Sequence, residues 1–183
     1  SAAWPHVLGL VPDAVLLIAG TGPLERALRQ KAADLGLSGS VVFCGRVAEE
    51  DKVRYYQLAD VFVSPSSLEG FGLSVAEAMS CALPVLVANR GALPELTGRG
   101  EGAAVFDPGQ PQEIVEGLAG FLRSPGRRAE GGRANRARVD ALFRWDRAVS
   151  KVRAVYEETL ARWRQGHPRP RPGTSSTRIG GHV

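Results

Sequence analysis

Five short apolar runs, Val15 to Ala19, Val41 to Cys44, Val61 to Val63, Pro84 to Ala88 and Ala103 to Phe106, recur along the chain with helix-length stretches between them. Each run is continuous rather than alternating with polar residues, which is the pattern of a strand covered on both faces. Leu24 to Leu35, Glu49 to Ala59, Ser74 to Cys81 and Pro111 to Arg123 fill the intervals as helices. Repetition of strand, helix and strand requires right-handed crossovers and predicts an α/β fold with a doubly wound parallel sheet. Beyond Phe106 the pattern is helical, with Ile114, Leu118, Phe121 and Leu122 on one face, then a stretch to Phe143 and a helix over Trp145 to Trp163. From Gly166 the chain is rich in Pro, Gly and Ser with little to bury, which predicts a disordered tail. A length of 183 residues suits one core, so the reading is one folded domain over 1–163 and a tail over 164–183.

Composition narrows the function classes. A hydrophobic fraction of 44% with 23% charged residues is that of an ordinary globular protein. The net charge of +4 comes from arginines late in the chain, Arg123 to Arg138 and Arg162 to Arg178. They fall on presumed helix surfaces and in the tail, without the interleaved stacking groups of a nucleic-acid face, so no nucleic-acid partner is expected. Cys44 and Cys81 stand alone without metal-ligand spacing, as buried or half-buried thiols do in a reducing cytoplasm. No apolar stretch approaches the length of roughly 18 residues that a membrane span needs. The opening SAAWPHVLGL reads as the end of a helix, which implies residues upstream of Ser1.

Two loops could carry chemistry. Gly20-Thr21-Gly22-Pro23 follows a strand and precedes a helix, so its N–H groups could face an anion, or it is a tight turn in which Pro23 starts the helix. As a dinucleotide fingerprint it fails: Glu25 holds the third glycine position, and Cys44-Gly45-Arg46 stands where a ribose-binding acid belongs. The more specific segment is SPSSLEGFGLSVAEAMSCALPVLV, Ser64 to Val87. It puts Glu69, Gly70, Phe71 and Gly72 at the C-terminal end of a parallel strand, the edge where open α/β sheets bind ligands. A helix starting near Leu73 or Ser74 aims the N–H groups of Gly72, Leu73 and Ser74 into that crevice, and its dipole suits a diphosphate. Glu69 in the loop and Glu77 in the first helical turn flank the opening, and carboxylates accept well from paired hydroxyls, which points to sugar. For Glu77 a second role stays open, because Ser74-x-x-Glu77 also has the form of a capping box.

This segment resembles the Glu-x7-Glu signature of retaining GT-B glycosyltransferases. GTGPLERAL, VVFCGRV, EGFGLSVAEAM, LPVLVANRGALPEL and AVFDP resemble their nucleotide-sugar donor domain, the Rossmann-like C-terminal half of the fold, in order and spacing. FRWDRAVSKVRAVY is similar to the C-terminal helix that in this family crosses back towards the acceptor domain. The resemblance covers about Trp4 to Tyr156. It implies that Glu69, placed at the catalytic position, takes hydroxyls of the donor sugar. Gly70 lies in the same loop, the backbone of Phe71, Gly72 and Leu73 meets sugar and diphosphate, and Glu77 holds the ribose. Arg46 and Val47 line the base pocket through backbone groups, while Gly20 and Gly22 let the chain approach the donor. It also implies a first strand and loop bearing an Arg and a Lys, and a whole acceptor domain, none of which lies within residues 1–183.

The activity implied is transfer of a hexose from a nucleoside diphosphate sugar to an acceptor hydroxyl with retention. The acceptor, a glycan, lipid or small molecule, would sit on the N-terminal domain, which is also where any peripheral membrane contact would lie. No Asp-x-Asp occurs in the chain, so no metal and no cofactor is expected. A nucleotide-sugar epimerase of the same fold, which converts donor without acceptor, and a non-catalytic nucleotide-sugar-binding module are the rival readings.

Overall fold

The structure is a computed structural model that describes residues 3–98 and 100–166. Two compact units are distinguished, Ser1–Ala141 and Leu142–Val183. In the first, helix α1 (Trp4–Leu10) precedes five strand–helix pairs: β1 (Leu16–Ala19) and α2 (Glu25–Asp34), β2 (Val41–Gly45) and α3 (Glu49–Leu58), β3 (Phe62–Ser64) and α4 (Leu73–Ser80), β4 (Val85–Ala88) and α5 (Leu93–Thr97), β5 (Ala103–Phe106) and α6 (Pro111–Leu122). Helix α7 (Pro125–Leu142) follows, and α8 (Trp145–Gly166) belongs to the second unit. The expected boundary at 163–164 falls inside α8, and the expected tail from 167 onward lies outside the described residues. The short α5, with Pro94 in its first turn, was not anticipated from the sequence.

Every strand pairing is parallel, in two sheets ordered β1-β2 and β3-β4-β5. Leu16 sits opposite Val41 in the first sheet, and Val85 opposite both Phe62 and Ala103 in the second. Among the described residues no strand joins β1 to β3. This leaves a break at the position where a doubly wound sheet of order 3-2-1-4-5-6 would hold its first strand.

Burial corrects one expectation. The five runs were read as strands covered on both faces, yet only β4 is buried along its whole length. Among the described residues it alone has a strand on each side. Side chains alternate across a strand, so Leu86 and Ala88 join a core cluster with Trp4 and Val7 of α1 and Val115 and Leu118 of α6, while the fully buried Val85 and Val87 face the other way. Helix α4, with Val75, Ala78 and Met79 buried, packs on β3 and β4. Phe106, Phe121, Met79 and Leu86 are the largest fully buried side chains, and each stabilises the fold by about 1.5–3 kcal/mol.

The open edges of β1 and β3 carry a testable consequence. Strands with free N–H and C=O groups are templates for pairing with another chain. Residues 1–183 on their own are therefore expected to self-associate as concentration rises, measured by sedimentation velocity. A monodisperse, highly stable monomer at high concentration would contradict this.

Candidate functional site

Within each sheet the strands run the same way; Gly20 and Gly22 follow β1, Arg46 and Val47 follow β2, and Glu69 to Gly72 lie in the loop after β3, while Leu73 and Glu77 lie on α4. Gly20 follows β1 and donates its N–H to Gly45 O at 2.7 Å, which brings the Gly20–Gly22 loop beside the Arg46–Val47 loop that follows β2. Glu25 N–H bonds to Gly22 O at 3.0 Å, closing a turn with Pro23 inside it. Helix α2 begins only at Glu25, so Pro23 lies in the turn and does not start the helix. Glu25 itself places a negative charge at the start of α2 and bridges Arg29 at 2.8 Å.

The loop after β3 is built differently. Gly72 is the residue before α4, in the left-handed conformation at φ 92° and ψ 51°, and no side chain caps the helix. A Cβ there would stand 2.8 Å from Leu93 Cδ2, so glycine is required both by backbone angle and by space. The next turn braces the loop: Ala92 donates to Glu69 O at 3.2 Å. A Cβ on Gly91 would lie 2.5 Å from that same oxygen. Glu69 and Glu77 are half-buried, while Gly70 and the side chains of Phe71 and Leu73 are exposed at the sheet edge.

Acidic residues fill the first turn of α2 (Glu25), α3 (Glu49, Glu50, Asp51), α5 (Glu95) and α6 (Glu113), but none stands in the first turn of α4. Carboxylates in a first turn complement the helix dipole. Of the five described helices that follow a strand, only the one behind the glycine loop has no carboxylate in its first turn.

The structure corrects the placement of Glu77. It is the fifth residue of α4, in the second turn, because Gly72 rather than Ser74 caps the helix. A capping box needs its acid three residues after the cap, and that position is Val75. Instead the Glu77 carboxylate meets α3: Oε2 accepts from the Tyr56 hydroxyl at 2.8 Å, and Oε1 lies 3.6 Å from Lys52 Nζ. Burial first, and then Glu77, push the Tyr56 hydroxyl well above its ordinary pKa, so it stays a donor at neutral pH. Lys52 is shifted up chiefly by its hydrogen bond to Glu49, 2.8 Å away. Neither Lys52 nor Tyr56 was singled out from the sequence. Their four-residue spacing puts them on one face of α3, but nothing local announces a partner 21 residues further on.

At the neighbouring strand ends Arg90 bonds Asp107 at 3.2 Å, and Asp107 also accepts from Gly109 N–H at 3.0 Å. Among the described residues no three His, Cys, Asp or Glu side chains converge as a metal-ligand set. No described helix is long and apolar enough to cross a membrane.

A parallel α/β domain with a glycine-capped, acid-flanked helix at its ligand edge is the Rossmann-like architecture of the GT-B C-terminal half. Residues 2–138 match the family described as glycosyl transferases group 1, and the chain belongs to that family. It is 35% identical over 151 residues to a GDP-mannose-dependent monoacylated alpha-(1-6)-phosphatidylinositol monomannoside mannosyltransferase of Corynebacterium glutamicum, covering 79% of this chain and 39% of that protein. It is 36% identical over 134 residues to a D-inositol 3-phosphate glycosyltransferase of Acidothermus cellulolyticus, covering 73% of this chain and 30% of the relative. Among solved structures, sucrose-phosphate synthase from Thermosynechococcus elongatus superposes with a TM-score of 0.76 at 26% identity, over 87% of this chain and 42% of that one. The chain thus spans between three tenths and two fifths of the length of these curated relatives.

Proposed function

We propose that this chain is the donor-binding half of a glycosyltransferase that moves a hexose from a nucleoside diphosphate sugar to an acceptor hydroxyl with retention of anomeric configuration. The observation that carries the reading is the loop from Glu69 into α4: the helix N-terminus behind Gly72 has neither a side-chain cap nor an acid in its first turn, with Glu69 in the loop before it and Glu77 in its second turn. An anion there meets free N–H groups and the positive end of the helix dipole. The N–H groups of Gly72, Leu73 and Ser74 would hold the diphosphate and Glu69 the hexose hydroxyls, with Gly70 and Phe71 lining the approach. Glu77 would take the ribose. Arg46 and Val47, beside the Gly20–Gly22 loop through the Gly20 to Gly45 bond, would border the base.

In the chemistry implied, negative charge develops on the departing diphosphate oxygen, and preorganised N–H dipoles stabilise it without reorganisation as the bond breaks. The family's Arg and Lys, which would add to this stabilisation, and the acceptor half correspond to no residues of 1–183. In this reading no metal or cofactor takes part, the acceptor is a glycan, lipid or small molecule held elsewhere in the parent protein, and the reaction is cytoplasmic.

A protein of residues 1–183 is accordingly expected to bind a nucleoside diphosphate weakly and to transfer nothing. Titration calorimetry with GDP, GDP-mannose and UDP checks the first half, and product analysis with the sugar nucleotides checks the second. GDP-mannose is the first sugar nucleotide to try because the mannosyltransferase relative is named for it. No binding by any of the three would remove the donor-domain reading. Turnover of donor without acceptor by the parent protein would support the epimerase instead.

A further inference from the structure

We infer that Tyr56 and Lys52 are positioning residues that hold the Glu77 carboxylate ready for the two vicinal hydroxyls of a ribose. The assignment rests on Glu77 as the ribose acceptor proposed above, and adds the part of the molecule that aims it.

A carboxylate offers about four lone-pair positions on two oxygens. Tyr56 occupies one on Oε2 at 2.8 Å, and Lys52 stands 3.6 Å from Oε1 as a charge contact, so each oxygen is held from the α3 side. The Glu77 side chain remains 40% exposed, and each carboxylate oxygen has a second lone-pair position beyond the one held from α3, which matches the pair of acceptors a 2′,3′-diol needs. The clamp is itself anchored. The Tyr56 ring packs edge-on against Phe62, with centroids 5.7 Å apart, at the start of the strand that leads into the glycine loop. Lys52 is held on its other side by Glu49 at 2.8 Å. Helix α3 begins three residues after Arg46, the loop assigned to the base. In a nucleotide the ribose joins base to diphosphate, so a helix that starts at the base loop and grips the ribose carboxylate ties those two subsites together. Fixing a flexible glutamate before the ligand arrives lowers the ordering cost of binding.

Binding of GDP and UDP to the full chain, each beside its 2′,3′-dideoxy counterpart, tests this. For the unsubstituted protein the dideoxy compound should bind roughly ten- to hundredfold more weakly, as expected when hydrogen bonds to a charged group are lost. Tyr56→Phe keeps the ring against Phe62 and should weaken the nucleoside diphosphate by about three- to tenfold, the worth of one hydrogen bond, while leaving the dideoxy compound within twofold. Tyr56→Phe added to Glu77→Ala should cost nothing further. Equal weakening of both ligands by Tyr56→Phe, or no weakening at all, would overturn the positioning role while Glu77 could still hold the ribose. If Glu77→Ala keeps the preference for the ribose diol, the ribose role of Glu77 fails and this assignment fails with it. Absence of binding by both GDP and UDP removes the donor-domain reading as a whole.

Discussion

Glu77→Ala is expected to weaken nucleoside diphosphate binding by about 1.5–3 kcal/mol, the usual worth of hydrogen bonds to a charged group, or roughly ten- to hundredfold in dissociation constant. As the fifth residue of α4, Glu77 caps nothing, since Gly72 precedes the helix and no side chain caps it. Removal of the carboxylate therefore leaves the helix start intact. What it does remove is the acceptor of the Tyr56 hydroxyl and the second anion beside Lys52. Both groups reach solvent in part, so water replaces the lost partner and the stability cost stays within about 1 kcal/mol, or roughly 2–4 °C in melting temperature. Calorimetric titration beside a thermal melt separates the two effects. Unchanged affinity for GDP and UDP would remove Glu77 from the site.

Gly132→Ala should lower stability by about 3 kcal/mol, at the upper end of what overpacking costs, and the melting temperature by roughly 6–12 °C. The sign is the informative part. In an exposed helix interior glycine is about 1 kcal/mol worse than alanine, so the same substitution on a solvent-facing helix would raise the melting point. Gly131 and Gly132 lie inside α7, both buried. A Cβ on Gly132 would stand 1.9 Å from Ala82 O, and one on Gly131 would stand 2.8 Å from Gly102 Cα. The helix is thus laid directly against the backbone leading into β4 and β5. Asn135, one turn on and 3% exposed, donates through Nδ2 to Leu83 O at 2.7 Å and to Gly102 O at 2.8 Å. Arg138, a further turn along, donates to Leu96 O and Glu95 O, each at 2.8 Å, at the end of α5. A methyl at 132 would push this row of contacts apart and strand buried carbonyls that Asn135 now satisfies. A differential scanning calorimetry trace showing a higher melting point for Gly132→Ala would mean that α7 does not approach this closely.

The amino-acid sequence by itself determined the alternation of strands and helices and the loop from Glu69 to Glu77, because both are written over short distances. A continuous apolar run has the length of a strand, and a glycine-containing stretch between two such elements marks the loop that joins them. The resemblance to the GT-B donor domain implied a first strand outside residues 1–183 without fixing whether β1 and β3 would pair directly, and among the described residues no strand joins them. Other features were decided only when helices were set against the sheets. The Ser74-x-x-Glu77 pattern has the form of a capping box, yet α4 begins at Leu73, within the expected start, and its cap is the left-handed Gly72 against Leu93, two residues before Ser74. The Glu77 carboxylate meets Tyr56 and Lys52 of α3 instead. The glycine pair of α7 opposes helix propensity locally, and its reason lies some 50 residues back at Ala82. Burial was overread for the same cause: apolar runs look alike in sequence, but among the described residues only β4 has a strand on either side. Propensity and turn chemistry act through neighbours along the chain, whereas close backbone approach and carboxylate partnering depend on which elements the fold lays side by side.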